Sequence, residues 1–335
     1  MANPRRALIT GINGQDGVYL TRHLRGLGYD VVGTGISLDR ASDIIAAYLP
    51  DVPIVEADIR DSEALGSLIE QTRPDEIYNL AGRSSVRESW DAPIGSTEVN
   101  AMAVLGLLEQ VRALREPGIY EPRLLQAASS EMFGLAYSFP QGVHSAHHPR
   151  SPYASAKSFA FHSTMNYRES YGMFAVNAVL FNHESPIRPE QFVTRKIARA
   201  AAEIATGNRE TVDLGNLDVR RDWGAAADYV VAMNLMLQAD EPRDFVIATG
   251  RSHSLLDFLG AAMRAAGVDD WRDRITIDPA LARPADVPET RGDPDPIRQR
   301  LGWEATTGFT EVVATMVDVE LRRIDTDVME DPAYL

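Results

Sequence analysis

The chain has 335 residues, 44% hydrophobic and 24% charged, an ordinary globular composition long enough for one large domain or two sharing a cleft. With 48 acidic against 33 basic residues the net charge is -15, which argues against nucleic acid or an anionic membrane as the principal partner. There is no cysteine, which excludes disulfides, thiolate metal sites and cysteine nucleophiles and fits a reducing compartment; with no signal-like or membrane-spanning run near the N-terminus, a cytoplasmic protein is expected.

Six β-rich runs mark the first half, at 7–10, 30–35, 53–59, 76–82, 123–129 and 174–181, with helical patterns between them. Strand, helix, strand in regular order predicts an α/β fold, a doubly wound parallel sheet covered on both faces, with ligands beyond the carboxyl ends of the strands. The first run enters Gly11-Ile-Asn-Gly14-Gln-Asp-Gly17, three glycines where a strand meets its helix. Glycine there lets the backbone approach a pyrophosphate held by the helix N-terminus, so a nucleotide cofactor is predicted; the alternative is a tight turn without a ligand.

The second run ends in Gly33-Thr-Gly35-Ile-Ser37-Leu-Asp39-Arg40, without the carboxylate that grips the ribose hydroxyls in NAD sites. Ser37 and Arg40 are candidates to meet a 2′-phosphate, which favours NADP over NAD. Asp58, closing the third run, is a candidate partner for the adenine amino group or, like Asp61, a helix cap. Between 97 and 115, Val99, Met102, Leu105, Leu108 and Val111 recur at helical spacing.

Ser129-Ser130-Glu131 follows the fifth run, at the edge where the site should lie. A hydroxyl there can bind a substrate oxygen, while a carboxylate exceeds what hydride transfer at an alcohol requires and suggests elimination or proton shuttling; a solvated glutamate is the plainer alternative. His144, His147 and His148 have no nearby carboxylate and read as loop, so no metal is expected. Ser151-Pro152 then starts a helix with a serine cap and proline in its first turn. Tyr153 and Lys157 fall four residues apart on one face, an ammonium placed to lower the pKa of a phenol. Lys157 and Lys196 are the only two lysines beside 31 arginines, which sets both apart from residues serving merely as solvated cations.

After Phe181 the rhythm breaks into a loop, a helix over 193–206, a short strand near 211–215, a helix over 228–238 and a strand at 244–250. Ser254 caps a further helix with Asp257 at its third position, and 278–296, dense in proline and charge, reads as ordered loop around a site. The expected division is a cofactor domain over 1–182 with returns from about 218–250, and an interleaved substrate lobe over 183–335.

These motifs together resemble the extended short-chain dehydrogenase/reductase family. Within it "ALITGINGQDGVYL", "SPYASAK", "NYRESYGMFAVNAVLFNHESP", "FVTRKIARA", "RRDWGAAADYV" and "DFVIATG" are similar to GDP-mannose 4,6-dehydratases across nearly the whole chain. The resemblance implies Ser129, Glu131, Tyr153 and Lys157 as the catalytic set. It implies a cofactor site of Gly11, Asn13, Gly14, Gln15, Asp16, Gly17, Asp58, Ile59, Leu80, Ala81, Gly82, Ser84, His183 and Arg188. Ser85, Glu131, Asn182, Val193, Lys196, Arg221, Arg283 and Asp286 fall to the GDP-sugar.

The implied reaction oxidises C4 of the hexose, eliminates water across C5 and C6 and returns hydride to C6. The alternatives are a 4-keto-sugar reductase or epimerase of the same family, or a cofactor-binding sensor. Arg83 and Ser85 stand where dehydratases usually show glutamine and histidine, and Asp286 where glutamate is usual. "GISLDRAS" replaces the Arg-Arg-Ser-Ser-like stretch that reaches a neighbouring subunit, so a homodimer is expected and a homotetramer left open.

Overall fold

The computed structural model describes residues 4–281 and 285–335. In chain order the elements begin β1 (Arg6–Thr10), α1 (Gln15–Gly26), β2 (Asp30–Gly35), α2 (Ser42–Tyr48), β3 (Ile54–Glu56), α3 (Ser62–Thr72) and β4 (Glu76–Asn79). There follow α4 (Glu88–Asp91), α5 (Pro93–Thr97), α6 (Ala103–Leu114), β5 (Arg123–Ser129), α7 (Pro152–Tyr171), β6 (Ala175–Leu180), β7 (Asn182–Glu184) and α8 (Val193–Ala205). The chain continues through β8 (Val212–Leu214), β9 (Arg220–Ala225), α9 (Ala226–Gln238), β10 (Phe245–Ile247), β11 (Ser252–Ser254), α10 (Leu255–Ala265), β12 (Ile275–Ile277), α11 (Asp295–Leu301) and α12 (Phe309–Thr326).

Seven strands form one parallel sheet in the order β10-β6-β5-β4-β1-β2-β3. Because both faces are covered, the strands read as nearly continuous apolar runs, such as Leu124 to Ser129 of β5, which is buried through Ala128. One face carries Ile9, Val18, Leu125, Val176, Tyr229 and Met233; the other carries Leu8, Ile77, Leu107, Leu108 and Leu124. Each fully buried leucine contributes about 2 kcal/mol of transfer free energy. A separate core lies among α8, α10, α12, β8 and β9, built on Ile197, Leu214, Trp223, Phe258 and Met316. A three-stranded sheet β11-β9-β7 and the pair β12-β8 complete the strands among the described residues.

Local chemistry sets the helix ends. Ser151 accepts the Ala154 N–H at 3.1 Å and Pro152 opens α7, whose 20 residues stop at Gly172 in the left-handed region. Ser254 and Asp257 form a reciprocal capping box at α10. The helix predicted over 97–115 differs: Glu98–Met102 is a π turn between α5 and α6. Its cause is Asn100, whose buried amide donates to the Ser96 carbonyl at 2.9 Å and the Arg83 carbonyl at 3.0 Å, drawing a loop segment against the helix.

Candidate active site

The carboxyl edge of the sheet opens into a cleft of about 1020 Å³ that runs from the β1 turn to the second core. Gly11 has φ +69°, and a Cβ on it would lie 2.9 Å from the Ala81 Cα, so only glycine lets the turn after β1 meet the turn after β4. Asn13, Gly14, Gln15, Asp16 and Gly17 line this end, with Asp58 and Ile59 from the β3 turn and Leu80, Ala81, Gly82 and Ser84 from the β4 turn. Gly14 caps α1, so the first free N–H groups of that helix face the place where the glycines admit a phosphate.

Two expected cofactor residues stand just beyond the lining, next to Ile36. Ser37 and Arg40 are exposed and outside the cleft wall. Ser37 sits in the left-handed region with its N–H donating to Glu56 Oε1 at 3.1 Å, and the 3-10 turn Leu38–Ala41 carries Arg40 into solvent. The wall at this end carries Arg60 instead. Arg60 grips both Asp58 oxygens, with Nε 3.0 Å from Oδ1 and Nη2 2.5 Å from Oδ2, and holds that carboxyl below its usual range. Asp61 is the cap of α3, accepting the Ala64 N–H at 3.0 Å, which leaves Asp58 to the cleft.

Asp16 and His183 join the β1 turn to the β6–β7 edge. His183 Nε2 lies 2.9 Å from both Asp16 oxygens, and its Nδ1 is 2.7 Å from the Phe181 carbonyl. Burial pushes the Asp16 carboxyl up, but His183, Gln15 and Arg188 outweigh it and hold the group at about 2. Burial lowers His183, and Asp16 reverses this, so the imidazole is raised. Arg188 lines the same wall, 3.3 Å from Glu184 and over the Phe192 ring at 3.9 Å.

Ser129, Glu131, Tyr153 and Lys157 all line the cleft beyond the tips of β5 and α7. Ser129 Oγ accepts the Glu131 N–H at 3.3 Å. Tyr153 is buried, and burial pushes its phenol to about 12; a hydrogen bond with Ser129 pulls the other way and the Glu131 charge adds to the rise. This corrects the expectation that Lys157 lowers the Tyr153 pKa. The Lys157 ammonium lies 5.9 Å from the Tyr153 ring centre and donates to the Ala127 carbonyl at 2.8 Å, and desolvation dominates the phenol. Burial also lowers Lys157 itself, to about 8, against a smaller opposing pull from Asp16.

On the far side Ser85, Asn182, Val193, Lys196, Arg221 and Asp286 line the wall. Val193 begins α8, and Lys196 donates to the Asp213 carbonyl at 2.7 Å. The buried Arg221 guanidinium donates to the Val287 carbonyl at 2.8 Å and lies 3.4 Å from Asp286, so Asp286, expected at the GDP-sugar, also supports the arginine. Arg283 lies outside the described residues. The histidines serve packing: His147 Nδ1 is 2.8 Å from Ser158 Oγ with its ring among Phe133, Phe161 and His162, and His148 stacks on Tyr137.

Sequence reasoning missed several wall residues. Asn100 Oδ1 is buried with no hydrogen-bond partner among the described residues, and a Cβ on Gly82 would lie 2.8 Å from it and 3.6 Å from Lys157 Nζ. The glycine thus leaves an acceptor and an ammonium open to one spot. Nothing in a lone helical asparagine announces this. Glu184 and Thr194, joined at 2.7 Å, adjoin the singled-out His183 and Val193, so proximity in sequence was the available signal. Arg83, noted only as a departure from the residue usual in dehydratases, lies near Gly95 and adds to the cationic surroundings of Asp58.

A seven-stranded doubly wound sheet with a glycine turn, a strand-tip Ser–Glu pair and a Tyr-x-x-x-Lys helix around one cleft defines an extended short-chain dehydrogenase/reductase. The profile of the family described as GDP-mannose 4,6 dehydratase matches residues 8–316. GDP-mannose 4,6 dehydratase 2 of Arabidopsis thaliana is 42% identical over 346 residues, covering 100% of this chain and 92% of its own. The human GDP-mannose 4,6 dehydratase is 39% identical over 351 residues, covering 96% and 94%. The fold is shared with DesIV, a dTDP-glucose 4,6-dehydratase from Streptomyces venezuelae with NAD and TYD bound, at TM-score 0.83 and 20% identity over 98% of this chain and 99% of that one. The chain belongs to the GDP-mannose 4,6-dehydratase family.

Proposed function

We propose that the protein is a hydro-lyase converting GDP-mannose, or a close GDP-hexose, to the GDP-4-keto-6-deoxy-hexose. The observation that carries this is the convergence of Ser129, Glu131, Tyr153 and Lys157 on one cleft shared with the glycine turn. A simple oxidoreductase has no task for Glu131, whereas elimination needs a base for the proton at C5.

The cofactor reading is a nicotinamide dinucleotide. The close approach at Gly11, the helix N-terminus at Gly14 and the unpartnered Asn100 Oδ1 beside Lys157 all fit such a group, with His183 and Arg188 on the nicotinamide side. When bound, it supplies the hydride acceptor for C4, the hydride returned to C6 and, in its oxidised form, a positive charge near Tyr153. NADP is the proposed form, since β2 ends at Gly35 without a carboxylate.

Tyr153 takes the proton of the hexose 4-hydroxyl, with the Ser129 hydroxyl holding the same oxygen. Because the resting phenol stands at about 12, it acts as a base only when cationic charge is added beside it, which couples proton removal to a loaded site. The 4-ketone acidifies C5–H; Glu131 removes that proton, and its acid form then protonates the departing C6 hydroxyl, which leaves as water. Lys196 and Arg221 offer charge-assisted bonds to the diphosphate end despite the acidic overall charge.

The domain reading remains a cofactor domain over 1–182, returning at about 218–250, and a substrate lobe over 183–335. For assembly we propose a homodimer through α5, α6, the π turn between them and α7, where Ile94, Met102 and Phe159 are exposed apolar side chains. Among the described residues no helix is long and apolar enough to cross a membrane, and a cytoplasmic location is proposed. The deciding experiment incubates the protein with excess GDP-mannose and a trace of NADP. Many turnovers to a product lighter by one water are expected; a requirement for stoichiometric NADPH and a keto-sugar would establish the reductase instead.

A further inference from the structure

One wall of the cleft is a single stretch of chain, with Arg188 near its start, Lys196 near its end, and Phe192 and Val193 between them on the lining. Arg195, in the same stretch, does not line the cleft; its side chain is buried behind the wall. There Nη1 donates to the Arg188 carbonyl at 2.8 Å, which ties the two ends of the stretch together, and Nε donates to Glu320 Oε1 of α12 at 2.8 Å. Arg323, one turn further along α12, donates to the same Glu320 oxygen at 2.7 Å and to the Pro186 carbonyl at 3.0 Å.

The Arg195 and Arg323 guanidinium groups thus share one buried carboxylate, and further acceptors come from other segments. The exposed Glu190 lies 3.7 Å from Arg195. On the Arg323 side the chain reverses at Asp327, in the left-handed region, and folds back over the end of α12. The Met329 carbonyl then accepts Arg323 Nε at 2.8 Å, Glu330 lies 3.5 Å from Nη2, and the Tyr334 ring stands 5.0 Å from the guanidinium. Glu330 accepts the Tyr48 hydroxyl of α2 at 2.7 Å, and Arg22 of α1 donates to the Leu335 carbonyl at 3.0 Å. This segment therefore runs from α1 and α2 to the arginine behind the wall. A buried ion cluster adds little net stability, since desolvation offsets attraction, and its consequence is a fixed geometry. Ser129, Tyr153 and Lys157 stand on β5 and α7, which take no part in the cluster.

We propose that Arg323 is a positioning residue for the cleft wall 186–196, and that residues 327–335 are a strap that holds it in place, so that ligand affinity is set in part from outside the cleft. The inference rests on the GDP-sugar reading given above and deepens it.

The test pairs hydrogen-exchange mass spectrometry with steady-state kinetics on GDP-mannose, in the native chain and in Arg323→Lys, Tyr48→Phe and Arg322→Gln. Lysine keeps the charge but cannot serve the Pro186 and Met329 carbonyls, Glu320 and Glu330 together as the planar fork does. Arg323→Lys is expected to speed exchange in 186–196 by about tenfold or more while α7 exchanges as in the native chain, and to raise KM about tenfold with kcat within about threefold. Tyr48→Phe removes one hydroxyl, frees Glu330, and moves both quantities the same way by about threefold. Arg322, exposed and paired with Asp318, is the control, and Arg322→Gln leaves both unchanged. Unmoved exchange in 186–196, exchange that rises equally in α7, or a fall in kcat at the native KM overturns the assignment, and should Arg323→Lys fail to fold, Tyr48→Phe decides alone. If the native chain does not turn over GDP-mannose, the hydro-lyase reading falls, while exchange in 186–196 still decides for or against the strap.

Discussion

Replacing Lys157 by methionine removes an ammonium while nearly keeping its volume, and the structure gives the effect opposite signs for stability and activity. The lysine is buried, and its fall from 10.5 to about 8 corresponds to a penalty of about 3 kcal/mol for keeping the charged form in the folded state. For a base with a depressed folded pKa the penalty is complete below the folded value, shrinks between about 8 and 10.5, and is gone above the unfolded value. Methionine abolishes the penalty but forfeits the hydrogen bond to the Ala127 carbonyl, worth about 1 kcal/mol. The cofactor-free Lys157→Met protein is therefore expected to be more stable by about 2 kcal/mol at neutral pH, with the gain fading as pH rises through 8 towards 10.5. Turnover of GDP-mannose falls by at least about a hundredfold in the same protein. Urea unfolding followed by tryptophan fluorescence reads the first quantity, since Trp223, Trp271 and Trp303 are buried. A variant less stable than the native chain by more than about 1 kcal/mol at neutral pH, or a difference that does not vary with pH, would refute the reasoning.

Tyr153→Phe is expected to bind the GDP-sugar and cofactor with little change while losing turnover by about a thousandfold or more, read by titration beside the dehydration assay. Glu131→Gln should still oxidise C4, seen as transient nicotinamide absorbance at substrate addition, without releasing the dehydrated product; an unchanged product yield removes Glu131 from the mechanism. Asp16→Asn tests the buried pair with His183. Since the Asp16 carboxyl is depressed to about 2 and the imidazole raised, the pair stabilises above the unfolded carboxyl value of 3.8 and below the raised histidine value, and is lost on falling through 2 or rising through the latter. The variant should lose about 2 kcal/mol near pH 5.5 and less near pH 9.5, and equal losses at the two pH values would contradict this. Sedimentation at assay concentration should give a dimer, and a monomer would overturn the role given to α5, α6 and α7.

Much of the fold was legible because its signals are local. The β-rich runs at 30–35 and 123–129 coincide with β2 and β5, and Ser151-Pro152 and Ser254 with Asp257 carry their cap chemistry within four residues. The fourfold spacing of Tyr153 and Lys157 put both beside the cleft through helix geometry alone. What was not legible depends on distant groups. The π turn at Asn100 arises because its amide reaches Arg83, seventeen positions away. Arg40 looked suited to a phosphate from its place in the chain, but spacing could not show that Ser37 is left-handed with its N–H held by Glu56 of β3, nor that Arg40 is exposed. The Tyr153 pKa went the other way because burial is a property of the packed interior, not of spacing.

The most direct measurement follows a label through the reaction. GDP-mannose carrying deuterium at C4 is incubated with the protein and substoichiometric NADP, and the product is examined by NMR and mass spectrometry. The account predicts that the deuterium leaves C4 and appears in the C6 methyl group of the same sugar, while a solvent hydrogen enters C5. Deuterium retained at C4, or found only on accumulated reduced cofactor, would contradict it.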